Sequence, residues 1–133
     1  MVILTPERGI RVSPRRPRVL LVDDETAVLR ALSRALARWF DVVPCTDARS
    51  ALDMLAGGAC FDAIVTDVVM PGLDGLGFYR AVSTDFEALA PRVVFFTSEA
   101  PSGLVPPARW LMKPAPIETL REAILAAVRT GPT

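Results

Sequence analysis

Five short runs rich in Val, Leu, Ile and Phe recur along the chain, and the stretches between them carry apolar residues every three or four positions. The runs are RVLLVD (18–23), DVVPC (41–45), FDAIVTD (61–67), RVVFFT (92–97) and ARWLMK (108–113). Runs this short and this continuously apolar predict strands buried on both faces. Residues 25–39 place Val28, Leu32, Ala35 and Trp39 on one helical face and Arg30, Arg34 and Arg38 on another. Residues 47–56 predict a second helix, with Ala48, Ala51, Leu52 and Leu55 inward, a cap at Thr46 or Asp47 and an end at Gly57 and Gly58. Residues 75–89 predict a third helix, and residues 116–129 a last one whose buried stripe is Ile117, Leu120, Ile124, Leu125 and Val128.

Strict alternation of apolar strands and helices indicates a parallel sheet covered on both sides, hence the α/β class. Right-handed crossovers and an open sheet suit a doubly wound order such as 2-1-3-4-5, with a ligand site beyond the carboxyl ends of the strands where the winding reverses.

Composition narrows this further. A chain of 133 residues that is 51% hydrophobic has material for one core and one domain. No apolar run approaches the roughly 18 consecutive residues of a membrane span, so no membrane insertion is expected. The N-terminus lacks a hydrophobic segment behind basic residues and a small-residue cleavage site, which predicts a cytoplasmic location. Cys45 and Cys60 form no CxxC pair and read as small core residues of a reducing compartment. Histidine is absent, which removes imidazole zinc sites, histidine-based triads and a phosphohistidine carried by this chain.

The formal charge is zero, yet Arg8, Arg11, Arg15, Arg16 and Arg18 face only Glu7 at the start of the chain. With Pro6, Pro14 and Pro17 among them, residues 1–17 read as a flexible basic tail or linker ahead of a domain at 18–130. Such a tail could touch nucleic acid or lipid, but it has no aromatics and little helical pattern, so no direct nucleic-acid contact is expected. The arginine stripe of the first helix could dock an acidic partner; a solvated helix face is the commoner reading.

The strand ends carry the chemistry. The first ends in Asp23 and Asp24, with Glu25 next; the third ends in Asp67, the fourth in Thr97 and the fifth in Lys113. A parallel sheet brings these groups to one rim. Clustered carboxylates raise one another's pKa, and a divalent cation that prefers hard oxygens reverses that balance. Magnesium suits the site better than zinc, because no thiolate or imidazole is at hand. Metal, ammonium and hydroxyl would stabilise a phosphoryl group in transfer while Asp67 attacks in line, giving an aspartyl phosphate. Lys113 is the one lysine beside fourteen arginines. Its place at a strand end favours a requirement for a compact point charge over chance survival in an arginine-rich composition.

The pieces VDDE (22–25), TDVVMPGLDG (66–75), FTS (96–98) and KP (113–114) together resemble the response regulator receiver domains of two-component signalling, over roughly residues 18–130. The resemblance implies a flavodoxin-like five-stranded sheet of order 2-1-3-4-5. It implies Asp67 as phosphoacceptor, with Asp23, Asp24, Asp67 and the Val69 backbone carbonyl holding Mg²⁺. It further implies Thr97 as the switch hydroxyl, Lys113 as the phosphate-pairing lysine before a cis bond to Pro114, and Trp110 as the switch aromatic. The partner implied is a sensor histidine kinase or a histidine phosphotransfer protein, and dimerisation is open. Pro71 and Gly75 would shape the loop beside Asp67, or serve simply as turn residues. Glu99 could steer water at the site or be an ordinary loop acid.

One segment departs from the family. Residues 98–108, SEAPSGLVPPA, contain Pro101, Gly103, Pro106 and Pro107 where a receiver has a helix. Proline inside a helix costs about 3 kcal/mol, so this crossover helix is expected to be absent or shortened. Similar shortening suggests the receiver segment of a hybrid histidine kinase that regulates its own kinase. An aspartate-dependent phosphatase is the enzymatic alternative, disfavoured because Val69 stands where the haloacid dehalogenase type has a second Asp. A flavin-binding module would need a Gly, Ser and Thr-rich phosphate loop where Asp23, Asp24 and Glu25 stand. A phosphorylation-independent interaction domain on the same fold is disfavoured by the full set of polar groups.

Overall fold

A computed structural model describes residues 16–99 and 109–130. Its strands are β1 (Arg18–Val22), β2 (Asp41–Cys45), β3 (Ala63–Thr66), β4 (Val93–Thr97) and β5 (Arg109–Met112). All pairings are parallel and the order is β2-β1-β3-β4-β5. The helices are α1 (Thr26–Leu36), α2 (Ala48–Ala56), α3 (Gly75–Asp85) and α4 (Ile117–Arg129), with a 3₁₀ segment at Glu87–Arg92. The doubly wound α/β sheet expected from the sequence is thus present.

Successive side chains of a strand point to opposite faces, and in the central strands β1, β3 and β4 both faces are buried. Leu20, Val22, Ile64 and Phe95 join α2 and α3 in one cluster, while Val19, Leu21, Val65, Val94 and Phe96 join α1 and α4 in the other. This double coverage explains why the strands read as continuous apolar runs. The winding reverses between β1 and β3, so the carboxyl ends of these neighbours flank the crevice.

β2 is an edge strand that contains a proline. Asp41 N–H donates to the Pro17 carbonyl and the Cys45 carbonyl accepts from Asp23 N–H, so the odd-numbered groups of β2 face β1. Pro44 therefore faces outward, where no ladder donor is needed, and it discourages pairing with another strand.

Local details differ from the sequence reading in three places. The buried face of α1 is carried by Leu29 and Leu36, bordered by Leu32 and Trp39; Val28 and Ala35 lie outside the cluster. The helix expected over 75–89 stops at Asp85, because Phe86 (φ −138°, ψ 54°) turns its side chain into the core and leaves the α conformation. Arg16 and Pro17, placed in the tail by composition, are bonded to the domain: the Arg16 guanidinium donates to the carbonyls of Ala37 and Arg38, closing the end of α1. The rest of the tail, and residues 100–108 of the proline-rich crossover, lie outside the described residues. Both cysteines are free, Cys45 buried and Cys60 half-buried. Among the described residues no helix is long and apolar enough to cross a membrane.

The expected cap of α2 forms: Asp47 accepts from Ser50 N–H at 2.7 Å and from the Ser50 hydroxyl at 2.9 Å. These bonds hold its carboxyl below the ordinary aspartate value, backbone bond first. A depressed carboxyl contributes stability above the unfolded-state pKa and loses it as pH falls through the folded value. Asp47→Ala should therefore lower the melting temperature at neutral pH, and the gap to wild type should close in strong acid when both are followed by circular dichroism.

Candidate functional site

Four of the five strands each deliver one polar residue to the carboxyl rim. Asp23 follows β1 and is 2% exposed, Asp67 follows β3 and is 7% exposed, and Thr97 closes β4 fully buried. Lys113 follows β5, tied in place by its backbone N–H donating to the Thr97 carbonyl at 2.7 Å. The peptide bond from Lys113 to Pro114 is cis.

The Lys113 ammonium joins the two acids. Nζ lies 2.7 Å from Asp23 Oδ2 and 3.2 Å from Asp67 Oδ2, and sits 5.6 Å from the centre of the Phe96 ring. Burial alone would lower the lysine's pKa, but the hydrogen bond and charge of Asp23, then those of Asp67, hold it above its ordinary value. The two acids thus favour the charged ammonium over the neutral amine.

The remaining carboxylate oxygens are held by backbone amides. Asp67 Oδ1 accepts from Val68 N–H at 2.7 Å and Val69 N–H at 3.3 Å, and Asp23 Oδ1 accepts from Glu25 N–H at 2.9 Å. These bonds fix the orientation of both side chains. The Thr97 hydroxyl accepts from Glu99 N–H at 3.3 Å. Its own proton has no acceptor among the described residues.

The structure brings Asp23, Asp67 and Lys113 into direct contact and sets Thr97 at the neighbouring strand end. Asp24 is exposed and stands apart. The third carboxylate is Glu25, whose oxygen lies within 4.8 Å of oxygens of both Asp23 and Asp67. Sequence reading saw three acids in a row but could not tell which side chain turns inward. Val69 is 57% exposed in the loop after Asp67, Trp110 and Met112 are exposed on β5, and Glu99 is exposed beside Thr97.

The charges do not balance. Three carboxylates meet one ammonium, leaving an excess of two negative charges in a partly buried site. The available donors are carboxylate oxygens and, on the loop, carbonyls. This is an environment for a hard divalent cation, with no thiolate among its donors.

The family model of the response regulator receiver domain matches residues 19–125. Among curated proteins, the chain is 37% identical over 117 residues to response regulator MprA of Mycolicibacterium vanbaalenii, covering 84% of this chain and 50% of that protein. The chain spans about half the length of the MprA proteins it matches and 24% of a matching Myxococcus xanthus methylesterase/glutaminase. Among solved structures it is similar to a response regulator receiver protein from Sinorhizobium medicae, with a TM-score of 0.78 at 26% identity over 89% of this chain and 98% of the other. It is also similar to Vibrio cholerae chemotaxis protein CheY4, with a TM-score of 0.74 at 30% identity over 85% of this chain and 99% of the other.

The loop carrying Asp67 is pinned from behind by Gly75, the first residue of α3. Gly75 N–H donates to the Val68 carbonyl at 2.8 Å, and a Cβ on Gly75 would lie 2.1 Å from the Asp67 carbonyl oxygen. That contact is steric and involves backbone, so it reaches beyond the turn role the sequence offered. Gly75→Ala should cost about 1–3 kcal/mol in urea unfolding by forcing the loop outward. Gly77→Ala, whose Cβ crowds the movable Leu73 side chain and otherwise meets Asp74 Oδ1 at an ordinary 3.4 Å, should stay within about 1 kcal/mol of wild type, because alanine suits a helix better than glycine.

Proposed function

Because the chain belongs to the response regulator receiver domain family, we propose that it accepts a phosphoryl group on Asp67 from a phosphohistidine of a partner protein and uses the aspartyl phosphate as a signal. The observation that carries this reading is the joint hold of Lys113 on Asp23 and Asp67 at the rim. A histidine kinase or histidine phosphotransfer protein supplies the donor, since this chain has no histidine. The setting is the cytoplasm.

Magnesium fits the residues present. Asp23, Glu25 and Asp67 offer hard oxygens close together, and the family resemblance adds Asp24 and the Val69 carbonyl. When bound, the ion supplies positive charge to the transferring phosphoryl oxygens.

The chain's own residues do the rest. The backbone amides of Val68 and Val69 hold the Asp67 carboxylate in one orientation, so attack needs little side-chain reordering. A carboxylate oxygen of Asp67 forms the new O–P bond as the N–P bond of the donor breaks, and the imidazole nitrogen keeps the electron pair. Lys113 then exchanges its contact with Asp67 for a phosphoryl oxygen while retaining Asp23. The Thr97 hydroxyl, whose proton has no acceptor among the described residues, donates to another phosphoryl oxygen. Trp110, exposed on β5 beside Phe95 in register, is the aromatic whose surroundings would change as Thr97 is drawn toward the site.

What the phosphoryl group controls depends on the protein to which the domain is joined or docked. A response regulator with a separate output and the receiver of a hybrid histidine kinase are both served by this site.

Incubation with magnesium and acetyl phosphate should add one phosphoryl mass, lost with a chelator and absent in Asp67→Asn. Lys113→Ala should slow the gain by about 100-fold, the scale of losing one charge-stabilising donor. Equal labelling of Asp67→Asn, or sustained phosphate release over many turnovers, would contradict the proposal.

A further inference from the structure

The Lys113 ammonium donates to Asp23 Oδ2 and to Asp67 Oδ2, and it also lies over the Phe96 ring, 5.6 Å from the ring centre. That distance falls inside the roughly 6 Å over which the face of an aromatic ring attracts a cation.

The fold puts the ring there. Phe96 precedes Thr97 on β4, and its partner in register on β5 is Leu111. Both belong to the cluster under α1 and α4. Side chains two apart in an extended chain share a face, so Lys113, two residues past Leu111, rises on the side of the sheet that carries Phe96. The ring is 5% exposed and the Lys113 side chain 17% exposed. Little water therefore competes for the ammonium, and a cation–π contact strengthens as its partners lose water.

Apolar packing alone does not call for an aromatic at this position. A branched aliphatic side chain would also bury apolar surface there, but only a ring presents a face of negative potential. A further carboxylate would attract the ammonium too, at the cost of adding to the negative charge that an incoming phosphoryl group must meet. The ring adds no formal charge, and it leaves the N–H groups of Lys113 free for oxygen acceptors. When Lys113 exchanges Asp67 for a phosphoryl oxygen, as the function proposed above requires, Asp23 and the Phe96 ring are the contacts that keep the ammonium in place.

We propose that Phe96 is a positioning residue for phosphoryl transfer: the face of its ring holds the Lys113 ammonium at the rim while that ammonium passes from Asp67 to the phosphoryl group. This rests on the reading of Asp67 as the phosphoacceptor.

The test follows the gain of phosphoryl mass by the full chain in magnesium and acetyl phosphate. Phe96→Leu should slow the gain by about threefold to tenfold, the scale of losing one partly desolvated cation–π contact. Site-specific trifluorination of the Phe96 ring nearly keeps its shape and drains the negative potential of its face, so it should slow the gain as well. In a Lys113→Ala background neither change should slow it further, because Phe96 acts through the ammonium. A role confined to core packing gives the opposite pattern: the fluorinated ring reacts as fast as the natural one, and Phe96→Leu still slows the Lys113→Ala protein. Either of those results would overturn the proposal while leaving phosphoryl acceptance at Asp67 intact. A wild-type chain that never gains the mass would overturn both.

Discussion

One lysine holding two buried acids is the constraint on which the rim depends. Unit charges 4 Å apart near a protein surface interact by roughly 4 kcal/mol, a large fraction of what keeps a small domain folded. Asp23 and Asp67 are nearly closed to solvent, so their repulsion is poorly screened. Lys113 Nζ, within 3.2 Å of both, turns that repulsion into two charge-assisted bonds. Its placement is topological. β1 and β3 are neighbours because the winding reverses there, and β5 reaches the rim through the bond from Lys113 N–H to the Thr97 carbonyl.

The arrangement is satisfied yet not saturated. Lys113 offsets one charge of three, and the excess is what a divalent ion and a phosphoryl group would meet. In the function proposed above, exchange of partners at Lys113 would couple chemistry at Asp67 to the end of β4, where Thr97 stands, and to β5, where Trp110 lies exposed. The central strands β1, β3 and β4, closely packed on both faces, would leave little room for independent movement in such a coupling.

Much of the fold was legible because burial on both faces leaves a strong mark on composition: runs such as LLV, AIV and VVFF have few other uses. The positions of Asp23, Asp67, Thr97 and Lys113 followed from where those runs stop. The α1 face was misread because its apolar residues are dense enough to suggest several faces, and packing against β1, β2 and α4 selected Leu29 and Leu36. The break at Phe86 was hidden because helical periodicity continues through it. Which of Asp24 and Glu25 turns toward Asp67 depends on side-chain rotation, and the closeness of Gly75 to the Asp67 backbone depends on the path of a loop. Neither leaves a trace in residue spacing. The tie from Arg16 to the end of α1 was masked by the basic, proline-containing character of its neighbours.

The central claim, that Lys113 offsets the repulsion between buried acids, is tested most directly by a double-mutant cycle for unfolding in metal-free buffer, using Lys113→Met, Asp67→Asn and their combination. The account predicts that Lys113→Met destabilises and that adding Asp67→Asn recovers part of the loss, with non-additivity of about 1 kcal/mol or more. Additive effects, or a Lys113→Met protein as stable as wild type, would contradict it.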